Sequence, residues 1–266
     1  MKYTVLSLFP QIIDVYFSSS IMAKAIARGL VEYRSVNIRD YAQDKHKTCD
    51  DSPYGGGPGM LMLAEPLSRA LEAAGVRKKT AGEEGHGPRA IYLSPSGKPF
   101  NQQMAGDLIQ NEELILVCGR YEGIDQRVID LYIDEEISVG DYVLSSGEAA
   151  ALVIIDATYR LVEQVITPES LAEESFNKGL LEYPQYTRPE IFDTLSVPDV
   201  LLSGHHENIR RWRLEKQVEK TIINRPDLIR QGLEKGLFDA ETRKIIDAVI
   251  SGSSLTDRER SNYERD

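Results

Sequence analysis

Short apolar runs that stop at Gly, Ser or Pro alternate with amphipathic stretches over residues 1–160 of this chain. Thr4–Leu8 reads as a strand, Asp14–Arg28 as one amphipathic helix stopped by Gly29, and Val36–Arg39 as a second strand. A polar loop then runs to Gly59, ahead of a Glu65–Ala74 helix closed by Gly75. Ala90–Leu93, Leu114–Val117 and Glu136–Val139 follow as strands. The helices between them are Asn101–Ile109, capped by Asn101, and Ile124–Tyr132. Glu148–Leu161, apolar on most sides, completes the series. Alternation of this kind predicts an α/β fold, a mostly parallel sheet with helices on both faces. Strands buried on both faces explain why the runs are continuous rather than alternating.

Beyond Leu161 the pattern changes. Residues 162–175 are acidic, carry Pro168 and show no strong period, as a linker would. Phe176–Leu202, with Pro184, Pro189 and Pro198, suits an extended, loop-rich stretch. Helical period returns in Glu207–Ile223, Pro226–Gly232 and Thr242–Ile250, followed by a polar end, Ser251–Asp266, expected to fray. Arg77–Pro88 is charged and Gly-rich, a surface connection. The expected organisation is a large domain over 1–161, a linker over 162–176 and a smaller, mainly helical domain over 177–266.

Composition narrows the class. At 266 residues, with 41% hydrophobic and 27% charged residues, the chain has the profile of a soluble globular protein. No apolar stretch approaches the roughly 20 residues that span a bilayer, and the N-terminal run is too short for a signal peptide. Two distant cysteines and four scattered histidines give no metal-ligand spacing. The expectation is a cytoplasmic, reduced protein without structural zinc. A net charge of −11 argues against a partner held by general attraction to phosphate. An RNA partner therefore requires a local basic patch.

Three Gly-rich turns follow apolar runs: Tyr92–Gly97, Cys118–Asp125 and Ser138–Glu148. In open α/β sheets, ligands bind outside the carboxyl ends of the strands. One such turn is most often only a turn; two, both following strands and joined by Leu-Ser-Pro, point to a site. Tyr54-Gly-Gly-Gly-Pro-Gly59 lacks the end of a phosphate-binding loop and reads as a flexible turn or as a lid over its polar neighbour Asp44–Asp51. The basic patch is Gly204–Arg213, with His205, His206, Arg210, Arg211, Arg213 and the only Trp. It suits single-stranded RNA, whose bases stack and whose phosphates pair, or else an ordinary solvated helix. Arg160, at the end of an apolar helix, complements the helix dipole by default. Glu173 and Glu174 are by default solvated charges.

Tyr92-Leu-Ser-Pro95, Gly119-Arg-Tyr-Glu-Gly-Ile-Asp125, Gly140-Asp-Tyr-Val-Leu144, Asp51–Met60 and Ser203-Gly-His-His-Glu207 occur here in an order that resembles the bacterial tRNA (guanine-N1)-methyltransferases. These enzymes modify the guanosine just 3′ of the anticodon, and the likeness runs from Phe9-Pro10 to about Trp212-Arg213. It implies a SPOUT-class catalytic domain tied in a trefoil knot, S-adenosylmethionine as methyl donor, magnesium, and a homodimer. A tRNA anticodon stem-loop is the implied partner, with neither membrane nor DNA. By the same resemblance Leu93, Ser94, Pro95, Gly119, Val139, Gly140, Asp141, Tyr142, Val143, Leu144 and Gly147 would line the cofactor pocket. Asp50, Tyr54, Gly59, Tyr121 and Glu122 would hold the target guanosine, and His205, Arg210 and Arg213 the stem-loop. The family's linker carries a catalytic Asp just before Ser-Phe. Here Ala172-Glu-Glu-Ser-Phe176 is one residue shorter and has no Asp, which makes Glu174 the expected base, Glu173 the second choice, and Arg160 the electrostatic partner. Ser146 stands where the family has a glycine. The other reading is a non-catalytic RNA-binding protein on a methyltransferase-like fold.

Overall fold

The computed structural model describes residues 1–79, 87–167, 174–176 and 178–251. Most of the Arg77–Pro88 connection, residues 168–173 of the linker and nearly all of the polar end lie outside the described residues. The chain divides into two compact units, Met1–Thr167 and Pro168–Asp266.

In the first unit, β1 (Lys2–Ser7), β2 (Glu32–Asn37), β5 (Arg89–Pro99), β6 (Glu113–Cys118) and β7 (Glu135–Ser138) form one sheet in the order β2-β1-β6-β5-β7. Every pairing in it is parallel. The period of two along each strand sorts its side chains into two cores. Tyr3, Val5, Ile91, Leu93, Leu114 and Leu116 pack beneath α1 (Gln11–Phe17), α2 (Ser20–Ala27), α4 (Gln102–Leu108) and α6 (Gly147–Tyr159). Leu6, Ala90, Tyr92, Ile115 and Val117 pack on the other face against α3 (Ala64–Ala73) and α5 (Gln126–Tyr132). Burial on both faces is what the continuous apolar runs require. Asn101 caps α4 by accepting from the Met104 N–H at 2.9 Å, and Asp125 caps α5 through the Arg127 N–H at 2.9 Å.

Three expectations are corrected. Asp14–Arg28 is not one helix: Ser18 and Ser19 both donate to the Val15 carbonyl, and Ser19 is extended, so α1 ends and α2 restarts. Val36 and Asn37 close a longer strand, and Ile38–Tyr41 turns away as a 3-10 helix because the Asn37 side chain accepts from the Arg39 N–H. β5 does not stop at Leu93 but runs on through Pro99: Leu93 and Lys98 both pair with Ile137, so residues 94–97 bulge out between them. A two-residue ladder, β3 (Asp50–Asp51) with β4 (Leu61–Met62), had no counterpart in the sequence reading.

The second unit holds a short hairpin, β8 (Ile191–Phe192) with β9 (Leu195–Ser196), then α7 (Asp199–Leu202), α8 (His206–Asn224), α9 (Pro226–Glu234) and α10 (Ala240–Ser251). Leu180, Val218, Ile222, Ile229, Phe238 and Ile246 form its core. No helix among the described residues is long and apolar enough to cross a membrane.

Candidate active site

The Gly-rich bulge within β5 and the Gly-rich loops after β6 and β7 converge on one cavity of about 280 Å3. Its position follows from the sheet: β5 lies between β6 and β7, so its bulge is flanked by the loops that follow those two strands. Leu93, Ser94, Pro95, Gly119, Val139, Gly140, Tyr142, Val143, Leu144 and Gly147 line it, whereas Asp141 is exposed on the loop outside the lining. Tyr121 and Glu122 face the same cavity. So do Tyr92, Arg120, Ser138 and Ala150, which the sequence reading did not single out. Ala150 is one helical turn beyond Ser146-Gly147, and that spacing was the signal available for it.

Backbone contacts close the floor. The Gly147 N–H donates to the Gly119 carbonyl at 2.9 Å, and Arg120 forms an isolated bridge with Ser146. A Cβ on Gly147 would fall 2.7 Å from Cys118 Cα, and one on Gly119 2.8 Å from the Tyr92 ring, so a side chain at Gly147 would have to displace backbone and one at Gly119 the Tyr92 ring. Ser146, by contrast, is fully extended at φ −168, a conformation open to any residue. The third loop is tied to itself: Ser138 Oγ donates to the Gly140 carbonyl at 3.2 Å, and Tyr142 Oη to the Val139 carbonyl at 3.0 Å. Burial, reinforced by the charge of Glu136, pushes the Tyr92 phenol up to about 12, a backbone hydrogen bond at Ile124 acting the other way. Beneath the floor, burial and then the charge of Glu148 push the Cys118 thiol well up, so this cysteine is a small core residue rather than a nucleophile. Glu148 itself is buried, and Ser7 donates to it at 2.5 Å.

A second cluster adjoins the Gly119–Asp125 loop. The Glu122 N–H donates to the Met60 carbonyl and the Met62 N–H to the Gly123 carbonyl, both at 3.0 Å. The polar loop is thereby stitched to the cavity. Tyr121, in the left-handed region at φ 59, donates from its hydroxyl to Asp50 at 3.3 Å, and Gly59 abuts the Glu122 carboxylate. Tyr54 is fully exposed on the same loop. Asp50, Gly59, Tyr121 and Glu122 are thus brought together from segments far apart in sequence.

Arg160 is the C-cap residue of α6. Glu174 lies in the second unit, where it lines a cavity with Lys178, His206, Arg210 and Arg213. Glu173 is outside the described residues. His205 is exposed at the start of α8. Arg210 is bound by Glu207 at 2.7 Å and Glu241 at 2.8 Å, which raises its pKa, and the Arg213 guanidinium lies 4.7 Å from the centre of the Tyr183 ring.

A mostly parallel α/β sheet with a glycine-built cavity at the carboxyl ends of its strands defines an enzyme frame for a small-molecule ligand. The family model described as tRNA (Guanine-1)-methyltransferase TrmD matches residues 1–231. A tRNA (guanine-N(1)-)-methyltransferase of Treponema denticola is 57% identical over 92% of this chain and 98% of its own. Namesakes from Borrelia turicatae and Treponema pallidum are 58% and 55% identical over 92% of this chain, covering 100% and 95% of theirs. The chain belongs to the tRNA (guanine-1)-methyltransferase family.

Proposed function

We propose that this enzyme moves the methyl group of S-adenosylmethionine to N1 of the guanosine immediately 3′ of a tRNA anticodon. Family membership supports the reaction and the tRNA substrate. The donor's place rests on one observation, the convergence of all three glycine-rich loops on one cavity. Its residues fit that donor. Leu93, Val139 and Leu144 offer apolar walls to a purine, and Ser94 offers a hydroxyl. Its size is near the roughly 300 Å3 at which small-molecule sites begin. Bound there, S-adenosylmethionine supplies an electrophilic methyl group.

The chain's own residues then handle a proton and a charge. Guanine N1 is a poor nucleophile while it holds its proton, and we assign acceptance of that proton to the Glu174 carboxylate. A positioned base contributes typically about 10²–10⁴-fold. Negative charge then moves towards guanine O6, where the Arg160 guanidinium stabilises it. Asp50, Tyr54, Gly59, Tyr121 and Glu122 hold the guanosine, and His205, Arg210 and Arg213 the stem-loop backbone. On this reading the first unit is the catalytic domain, residues 162–176 the connection, and the second unit the tRNA-binding domain. No described group of three or more His, Cys, Asp or Glu side chains could hold a metal ion, so no step is derived through magnesium.

A homodimer is supported by an exposed apolar face: Ile12 and Val15 on α1 and Val153 on α6, helices joined there by a Tyr16–Asp156 hydrogen bond. A trefoil knot is supported by the chain's path, which leaves edge strand β7, passes β5 and returns to the end of central strand β6 before α6 begins. The experiment that tests the function is incubation with methyl-labelled S-adenosylmethionine and unmodified tRNA, with nucleoside mass spectrometry and primer extension to locate the methyl. One methyl on N1 of that guanosine is expected. Binding of tRNA with no transfer would leave a non-catalytic RNA-binding protein instead.

A further inference from the structure

Of the residues lining the cavity over Tyr186 in the second unit, only Arg213 has a task in the proposed reaction. It encloses about 640 Å3 between the extended Tyr183–Arg188 segment, α7 and α8. Leu201 and Ile209 give it an apolar floor, and Tyr183, Tyr186, Arg188 and Arg213 an aromatic and cationic wall. The rings are held before any ligand arrives. Trp212 braces Tyr186 from one side, with centroids 6.4 Å apart and planes tilted by 52°, and Tyr186 remains 49% exposed. Tyr183 is fixed by the Arg213 guanidinium 4.7 Å from its ring centre. Arg188 is exposed at its rim, a local cation on a chain of net charge −11.

A preset aromatic platform at a cationic rim suits an unstacked nucleobase and its phosphate: the ring takes the π-face, the guanidinium the anion. An apolar ligand would leave Arg188 unused, and an acidic peptide would leave the open Tyr186 ring unused. We propose that this cavity takes one unpaired base of the anticodon loop, other than the methylated guanosine, with the base on Tyr186 and its phosphate on Arg188. The inference rests on tRNA being the substrate.

The test uses full-length protein and tRNAs carrying 2-aminopurine at one anticodon-loop position at a time. With the wild-type protein, one position besides the target is expected to change its fluorescence on binding. Tyr186→Ala should abolish that change and weaken tRNA binding about five- to a hundredfold, the range for loss of one base–aromatic stack. Donor affinity and the single-turnover rate at saturating tRNA should stay at wild-type values, and Tyr186→Phe should restore both signal and affinity. Arg188→Gln, at an exposed position, should lower the salt slope of binding by about one while melting like wild type. If the wild-type protein methylates tRNA, and Tyr186→Ala and Arg188→Gln match it in affinity and at every fluorescent position, this inference alone is overturned. Wild-type protein that does not bind tRNA overturns it together with the reading it rests on.

Discussion

The proposed donor cavity of the first unit and the basic surface of the second are built from different parts. The cavity is mainly backbone: turns after parallel strands, closed by the Gly147–Gly119 hydrogen bond and a ladder contact at Arg120 and Ser146. The basic surface is mainly side chain, and its charges are already engaged, Arg210 by two carboxylates and Arg211 by Glu215 at 3.0 Å. A backbone pocket is preorganised for one small ligand, and a single methyl group can close it. A paired cationic surface must exchange glutamates for phosphates before it binds, which offsets much of the attraction and favours a fitted RNA over any polyanion. An acidic chain can thus have a tRNA substrate without general affinity for nucleic acid.

The largest effect expected from this division is catalytic. Glu174→Gln should lower the single-turnover rate of methyl transfer by about 10²–10⁴-fold, while Glu173→Gln stays near wild type; the reverse order would move the base by one residue. Next is the pocket floor. Gly147→Ala places a methyl 2.7 Å from Cys118 Cα, and overpacking of this kind costs about 1–3 kcal/mol. Calorimetry should show donor affinity reduced more than about tenfold, with tRNA affinity little changed. Equal loss of both would mean that the two regions are not separable.

How far this could be read from sequence differs between the regions for the same reason. Strands buried on both faces announce themselves as apolar runs, and the turns after them as glycines, so the cavity lining was largely visible. Tyr92 was hidden because its ring belongs to a core-facing strand position as well as to the cavity wall. The break between α1 and α2 was hidden because Ser18 and Ser19 interrupt a period that the apolar residues on either side continue. Contacts between distant segments leave no periodic trace: Tyr121 with Asp50, 71 positions apart, or Arg210 with Glu241, 31 apart. The engagement of the basic patch was therefore invisible even though its arginines were not.

Smaller effects sharpen the contrast. The Arg127 guanidinium, hydrogen-bonded to Asp125, holds that carboxyl below its ordinary value. A depressed folded pKa contributes stability above the unfolded value, near about 3.9, and loses it as pH falls through the folded one. Asp125→Asn keeps a helix cap but removes the charge, so acid unfolding of the first unit should depend less steeply on pH below about 4; an unchanged acid limb would assign the pair no energetic role. Smallest of all, Glu241→Gln releases one of the carboxylates on Arg210 and should tighten tRNA binding by less than about tenfold at low salt, within the worth of one exposed pair. Weaker binding would show that Glu241 orients Arg210 for RNA.

The separation of donor pocket from proton acceptor is tested most directly by titrating S-adenosylmethionine into full-length Glu174→Gln protein and comparing its dissociation constant with that of wild type. The expected result is a donor affinity within about twofold of wild type in a protein that has lost methyl transfer. A donor affinity that falls in step with the rate would contradict the account.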